Sequence, residues 1–283
     1  MSKASRARRA ADRQSFVLRP FEGMASECDL IAMREIVPAA TTPLTLTGEY
    51  ADRKVTAVTV LPLALPCLTR SDGSVLVALQ TQVSAGDASR QVAAALIAAL
   101  NIEPGATPTN VDITADTPPL QKLVDPAAPL EITVHEGFEF WVENPEEMTD
   151  EVKASLEQAN SAAPPTARLS SVPAAYWSDE GERAWVRWVM PHEEYPLLNA
   201  LARLHAARVD DIGADSKYVG SFRCHGLLAP VWEVPKGTPA EAFEEGTLAF
   251  SGRLAEALAN QQPLTSAERR ARDGLANRQL TIR

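Results

Sequence analysis

Cysteine and histidine are scarce in this chain of 283 residues, with three of the first and four of the second. Cys28, Cys67 and Cys224 lie far apart in apolar or helical contexts, which excludes a disulfide framework and predicts buried free thiols. His135, His192, His205 and His225 leave few metal ligands or general bases to choose from, and the sequence has no paired C-x-x-C and no H-E-x-x-H. The phosphate loops G-x-x-x-x-G-K-[ST] and G-x-G-x-x-G, the nucleophile elbow G-x-S-x-G and EF-hand spacing are absent as well. No catalytic residue, metal site or cofactor is therefore expected. No run of about 18 apolar residues occurs, so no membrane span is predicted. The basic amino terminus has no apolar stretch behind it, unlike a secretory signal. A cytoplasmic location follows as the default.

What the chain does contain is ordinary for a globular protein: 45% hydrophobic and 23% charged residues. Its net charge of −10 is unevenly spread. Residues 1–14 hold Lys3, Arg6, Arg8, Arg9 and Arg13 against Asp12, a net of +4. Residues 265–283 hold five arginines against Glu268 and Asp273, a net of +3, which leaves −17 on the body between. An acidic body repels nucleic acid at long range, so only the tails could bind it, and nucleic acid is disfavoured as a partner.

Residues 1–14 are small, polar and basic and read as a disordered tail. Ser26-Glu27-Cys28-Asp29 has the spacing of a helix start, and Pro38 stops that helix. Val55 to Leu65 reads as a strand, and Ser71-Asp72-Gly73-Ser74 as a hairpin-like turn pairing it antiparallel with the strand from Val75. Asp87 caps the next helix. Five prolines between 104 and 126, with Pro129 beyond, mark a surface connection. Alternation in LEITVHEGFEFWVE predicts a half-buried strand or a hairpin near Gly137, and DEVKASLEQANSA a short polar helix. Arg183 to Met190 is a strand leading to the amphipathic helix around Leu197, Leu198, Leu201 and Leu204. Tyr218 to Val234 is a strand pair broken at Gly226. Thr238-Pro239-Ala240-Glu241 and Thr265-Ser266-Ala267-Glu268 each have the form of a capping box.

Two stretches read like the same paragraph: Val75 to Asn101 and Leu227 to Asn260, each a strand, a small polar turn and an Ala/Leu-rich helix, with another amphipathic helix upstream. They predict an α+β protein of two related halves, an internal duplication, each half a small mostly antiparallel sheet packed with helices. The expected divisions are a first half over 15–145, a connecting segment over 146–175, a second half over 176–264, and a basic terminal helix over 265–283.

All five tryptophans fall from Trp141 onward. In RAWVRWVM, Arg183, Trp185 and Arg187 share one parity, and with Trp232 they form the candidate binding surface for a protein partner. The leading function is a non-catalytic interaction or regulatory protein. The alternatives are an enzyme with His225, Glu233 and Arg187 at a seam between the halves, or a nucleic-acid or ribosome-associated factor using the basic tails. Oligomeric state stays open. Cys224-His225 is badly placed as a nucleophile pair, since neighbours in a strand face opposite ways unless Gly226 bends the chain.

The strings RPFEGMASECDLIAMREIVPAAT, VTVLPLALPCLTRSDGSVLVALQT, SAGDASRQVAAALIAAL, LARLHAARVDDIG and YVGSFRCHGLLAPVWEVPKGT resemble an uncharacterised actinobacterial family of unknown function, over nearly the whole chain except the termini. Some of its members look to be labelled as related to the preprotein translocase ATPase SecA. This sequence departs from that label, because it lacks the Walker A motif an ATPase needs. SKYVGSFRCHG is faintly similar to that ATPase's zinc-binding tail but lacks the leading cysteines. The resemblance implies membership and supplies no activity.

Overall fold

The computed structural model describes residues 16–81, 86–108, 111–213 and 215–277, apart from the side chains of Glu147 and Asn277. The basic tail expected over 1–14 lies outside the described residues. Six α-helices form among the described residues: α1 (Glu27–Glu35), α2 (Ala88–Leu100), α3 (Asp150–Ala162), α4 (Glu194–Ala207), α5 (Glu244–Ala259) and α6 (Ser266–Asn277). Their starts follow local chemistry. The Arg90 backbone N–H donates to Asp87 Oδ1 at 3.1 Å, satisfying one of the donors that a helix start leaves without an intrahelical partner. At α6 the capping box closes in both directions. Glu268 N–H donates to Thr265 Oγ1 at 3.3 Å, and Thr265 N–H donates to Glu268 Oε2 at 2.6 Å. Thr265→Ala is expected to cost about 1 kcal/mol in urea unfolding; an unchanged midpoint would show the box to be idle. The start of α5 differs from expectation. Thr238-Pro239 leads into a 3₁₀ turn over Ala240–Phe243 with no side-chain cap, and the α-helix begins only at Glu244.

The strands among the described residues form two five-stranded sheets. In the first, β1 (Ala40–Leu44), β2 (Val55–Val58), β3 (Cys67–Thr69), β4 (Val75–Ala78) and β5 (Thr133–Val134) run in the order β3-β4-β2-β1-β5. The Asp72-Gly73 turn forms as the sequence requires, with Gly73 at φ 79° and Asp72 Oδ1 accepting from the Ser74 N–H at 2.8 Å. Its antiparallel partner is not the expected one. β3, not β2, pairs antiparallel with β4 (Thr69↔Val75, Cys67↔Val77), while β2 lies parallel to β4 (Val55↔Val75, Val58↔Ala78). The stretch read as one strand is broken by a 3₁₀ turn at Pro62–Ala64, where Leu63 and Ala64 take φ of 57° and 51°. A single long strand cannot pass through that turn. The reading of 130–143 also changes. Only Thr133 and Val134 pair, with Thr41 and Ala40, and from Phe138 the chain turns so that Phe138 stacks on Trp141 at 4.5 Å.

The second sheet is wholly antiparallel. It consists of β6 (Thr166–Arg168), β7 (Ala175–Asp179), β8 (Ala184–Trp188), β9 (Lys217–Cys224) and β10 (Leu227–Val234), in the order β6-β7-β8-β10-β9. Ala184, Val186 and Trp188 of β8 join Leu197 and Leu201 of α4, Phe250 and Leu254 of α5 and Leu275 of α6 in one buried cluster. The expected helix face at Leu197, Leu198, Leu201 and Leu204 is buried.

The chain therefore has an α+β fold with two sheet-containing halves, one sheet mixed and one antiparallel. The strands opening the two similar paragraphs have different neighbours: β4 has one parallel and one antiparallel, whereas β10 has two antiparallel. Two compact units are distinguished. Of the described residues, one takes those up to Ser26 together with those of Thr42–Glu131, the other Glu27–Thr41 together with those from Ile132 onward.

Candidate functional site

Alternation along β8 sends Trp185 and Arg187 to the face opposite the helix-covered core, as their parity predicts. Register extends that face across the sheet. One row runs Arg168, Tyr176, Arg187, Val231, and the next Thr166, Ser178, Trp185, Glu233. Trp185 is half-buried, with the Arg183 Cζ 5.9 Å and the Arg187 Cζ 5.8 Å from its ring centroid. Its Nε1–H donates to Glu180 Oε2 at 3.1 Å. Arg187 donates to Glu180 Oε1 at 2.5 Å and to Ser178 Oγ at 2.8 Å. The indole and the guanidinium of Arg187 thus share one carboxylate.

Trp232, expected on the same surface, is elsewhere. It pairs with Val186 on the core face and is 0% exposed, and its Nε1–H donates to the Asp210 carbonyl at 2.7 Å. The three residues of the enzyme reading all lie in the unit that begins again at Ile132. Arg187 and Glu233 share a face on adjacent strands, whereas His225 sits in the turn joining β9 and β10, its Nε2 2.8 Å from Glu35 Oε1. That turn does bend the chain: His225 at φ 47° and Gly226 at φ 80° form the two-residue connection favoured in hairpins. Burial pushes the neighbouring Cys224 thiol up to about 12, which keeps it a protonated, unreactive thiol. All three cysteines are buried, as expected.

One cluster on this sheet face has no sequence signal. The helix α1 brings Asp29 to Arg168, whose Nη2 donates to Asp29 Oδ1 at 3.1 Å, and the Ala174 backbone amide also favours the charged carboxylate. Asp29 is 8% exposed. Its burial raises the carboxyl above the ordinary aspartate range, against the opposing pull of Arg168 and Ala174. Ala174 holds φ at 55°, a conformation costly for a residue with a Cβ, and it is fully buried. Tyr176 stands opposite Arg168, its phenol pushed upward by burial and by the nearby Asp29 charge.

The sign of the Asp29 shift sets a pH dependence. A carboxyl whose folded value is raised binds its proton more tightly when folded. Its contribution to stability is complete below the ordinary value of 3.8 and declines as the pH rises through the folded value. The amide introduced by Asp29→Asn cannot titrate, so the stability of the wild type minus that of this variant should fall from about pH 3.5 upward and then level off. A flat difference, measured by urea unfolding at each pH, would show that Asp29 is not shifted.

The other histidines are placed without converging. His205 Nδ1 lies 2.6 Å from Asp210 Oδ2, and His135 Nε2 lies 2.8 Å from Thr41 Oγ1. Burial lowers His192. Among the described residues, no group of three or more His, Cys, Asp or Glu side chains could hold a metal ion. No described helix is long and apolar enough to cross a membrane. No curated protein and no solved structure matches the chain. A family model does match, over residues 20–283, and with nearly the whole chain covered the protein belongs to this Family of unknown function (DUF5926).

Proposed function

We propose that the chain is a cytoplasmic, non-catalytic interaction or regulatory protein that engages a protein partner through Arg183, Trp185 and Arg187. The observation that carries this reading is the half-buried Trp185 ring held near two guanidiniums, with Glu180 fixing both the indole and Arg187. Tryptophan and arginine supply most binding energy at protein interfaces, and side chains already fixed lose little entropy on docking. Arg183 has no ion pair among the described residues, so its charge is available to a partner's carboxylate.

The test is the double variant Trp185→Ala, Arg187→Ala. Native-cell crosslinking with mass spectrometry, using the wild type and the variant side by side, should show about tenfold or greater loss of the principal crosslinked protein. The variant should remain folded, at a cost of about 1–2 kcal/mol. Undiminished crosslinking of a folded variant would remove this surface as the docking site.

A further inference from the structure

Three buried polar atoms on the second sheet make no hydrogen bond to any described group, Tyr176 Oη, Arg168 Nε and Trp177 Nε1, and the first two share a sheet face. Those two belong to directly opposed residues on β6 and β7, so both side chains rise from the same face at neighbouring positions. Tyr176 is 1% exposed, and Arg168, partly buried, donates to Asp29 through Nη2, on the same edge of the guanidinium as Nε. Both atoms carry hydrogens: a guanidinium Nε only donates, and a phenol can donate and accept. Leaving two such buried atoms unmatched costs more than an ordinary hydrogen bond gains, and native proteins rarely tolerate it.

We propose that this spot is a binding site for one neutral, water-sized ligand, an ordered water accepting from Arg168 Nε and bonded to Tyr176 Oη. Charge decides for a neutral occupant. Arg168 already faces the Asp29 carboxylate at 3.1 Å, and an anion added to the pair would sit beside that carboxylate. A single water meets the demand of the two groups and retains a hydrogen to donate, which suits the two to four bonds that buried waters make. The water completes the polar joint by which α1 is fastened to the sheet: Asp29, Arg168, Tyr176 and the strained Ala174 become one satisfied network.

A crystal structure of the wild-type chain, with a parallel bromide soak, tests this together with Tyr176→Phe. One solvent peak within hydrogen-bond distance of both Tyr176 Oη and Arg168 Nε is expected, with no anomalous bromide signal there. Tyr176→Phe should lower the melting temperature by about 2–4 °C, since it strips a partner from the water. Absence of the peak overturns the proposal, as does bromide at that position. So does a Tyr176→Phe variant as stable as the wild type or more so, because the hydroxyl would then be idle. If that variant fails to fold, the wild-type density decides alone.

Discussion

Trp232→Ala is expected to lower the unfolding free energy by about 3–5 kcal/mol, the largest loss from any single tryptophan on the second sheet. The side chain is fully buried and meets Phe250 edge-on at 5.1 Å and Tyr218 at 5.4 Å. Its Nε1–H also satisfies the Asp210 carbonyl, so truncation opens a cavity and strands a backbone acceptor together. Trp185, one strand away on the other face, is only half-buried and should cost much less. Urea unfolding followed by far-ultraviolet circular dichroism separates the two. Equal losses would mean that the two faces of this sheet are covered alike.

Gly246→Ala carries the second large effect. A Cβ at this position would lie 1.8 Å from the Ile212 carbonyl oxygen and 2.4 Å from its carbon. Both are backbone atoms and cannot swing aside, so α5 or the segment leading to β9 must move. A cost of about 3 kcal/mol or more is expected. The same helix supplies the control. Around Gly252 no atom lies within 4 Å of an added Cβ, so Gly252→Ala should stabilise by up to about 1 kcal/mol through helix propensity alone. Opposite signs within one helix identify close backbone approach as the cause; a harmless Gly246→Ala would refute it.

Features carried by short spacings were legible in the sequence. The Thr265 box, the Asp87 cap, the α4 face and the alternation that turns Trp185 and Arg187 away from the core all depend on residues a few positions apart. Trp232 was misread for a physical reason. In LLAPVWEV seven of eight residues are buried, so β10 has no polar alternation from which to tell one face from the other. The parallel pairing of β2 and β4 was hidden because an Asp-Gly turn reports only that the chain reverses, and β3 is the short strand that takes the turn. The Asp29–Arg168 pair could not be foreseen at all. Its members are 139 residues apart, and neither stands in a motif.

The division of the chain bears on how such a protein could arise and be cut. It passes between the two compact units after Ser26, after Thr41 and after Glu131, so the larger unit is not a continuous stretch of coding sequence. A fragment starting at Ile132 would retain Arg168 and His225 but lose Asp29 and Glu35, which answer them, and β5 would lose Ala40 and Thr41. No continuous stretch of the gene encodes that unit by itself, so a transfer that carried it whole would carry residues 42–131 with it.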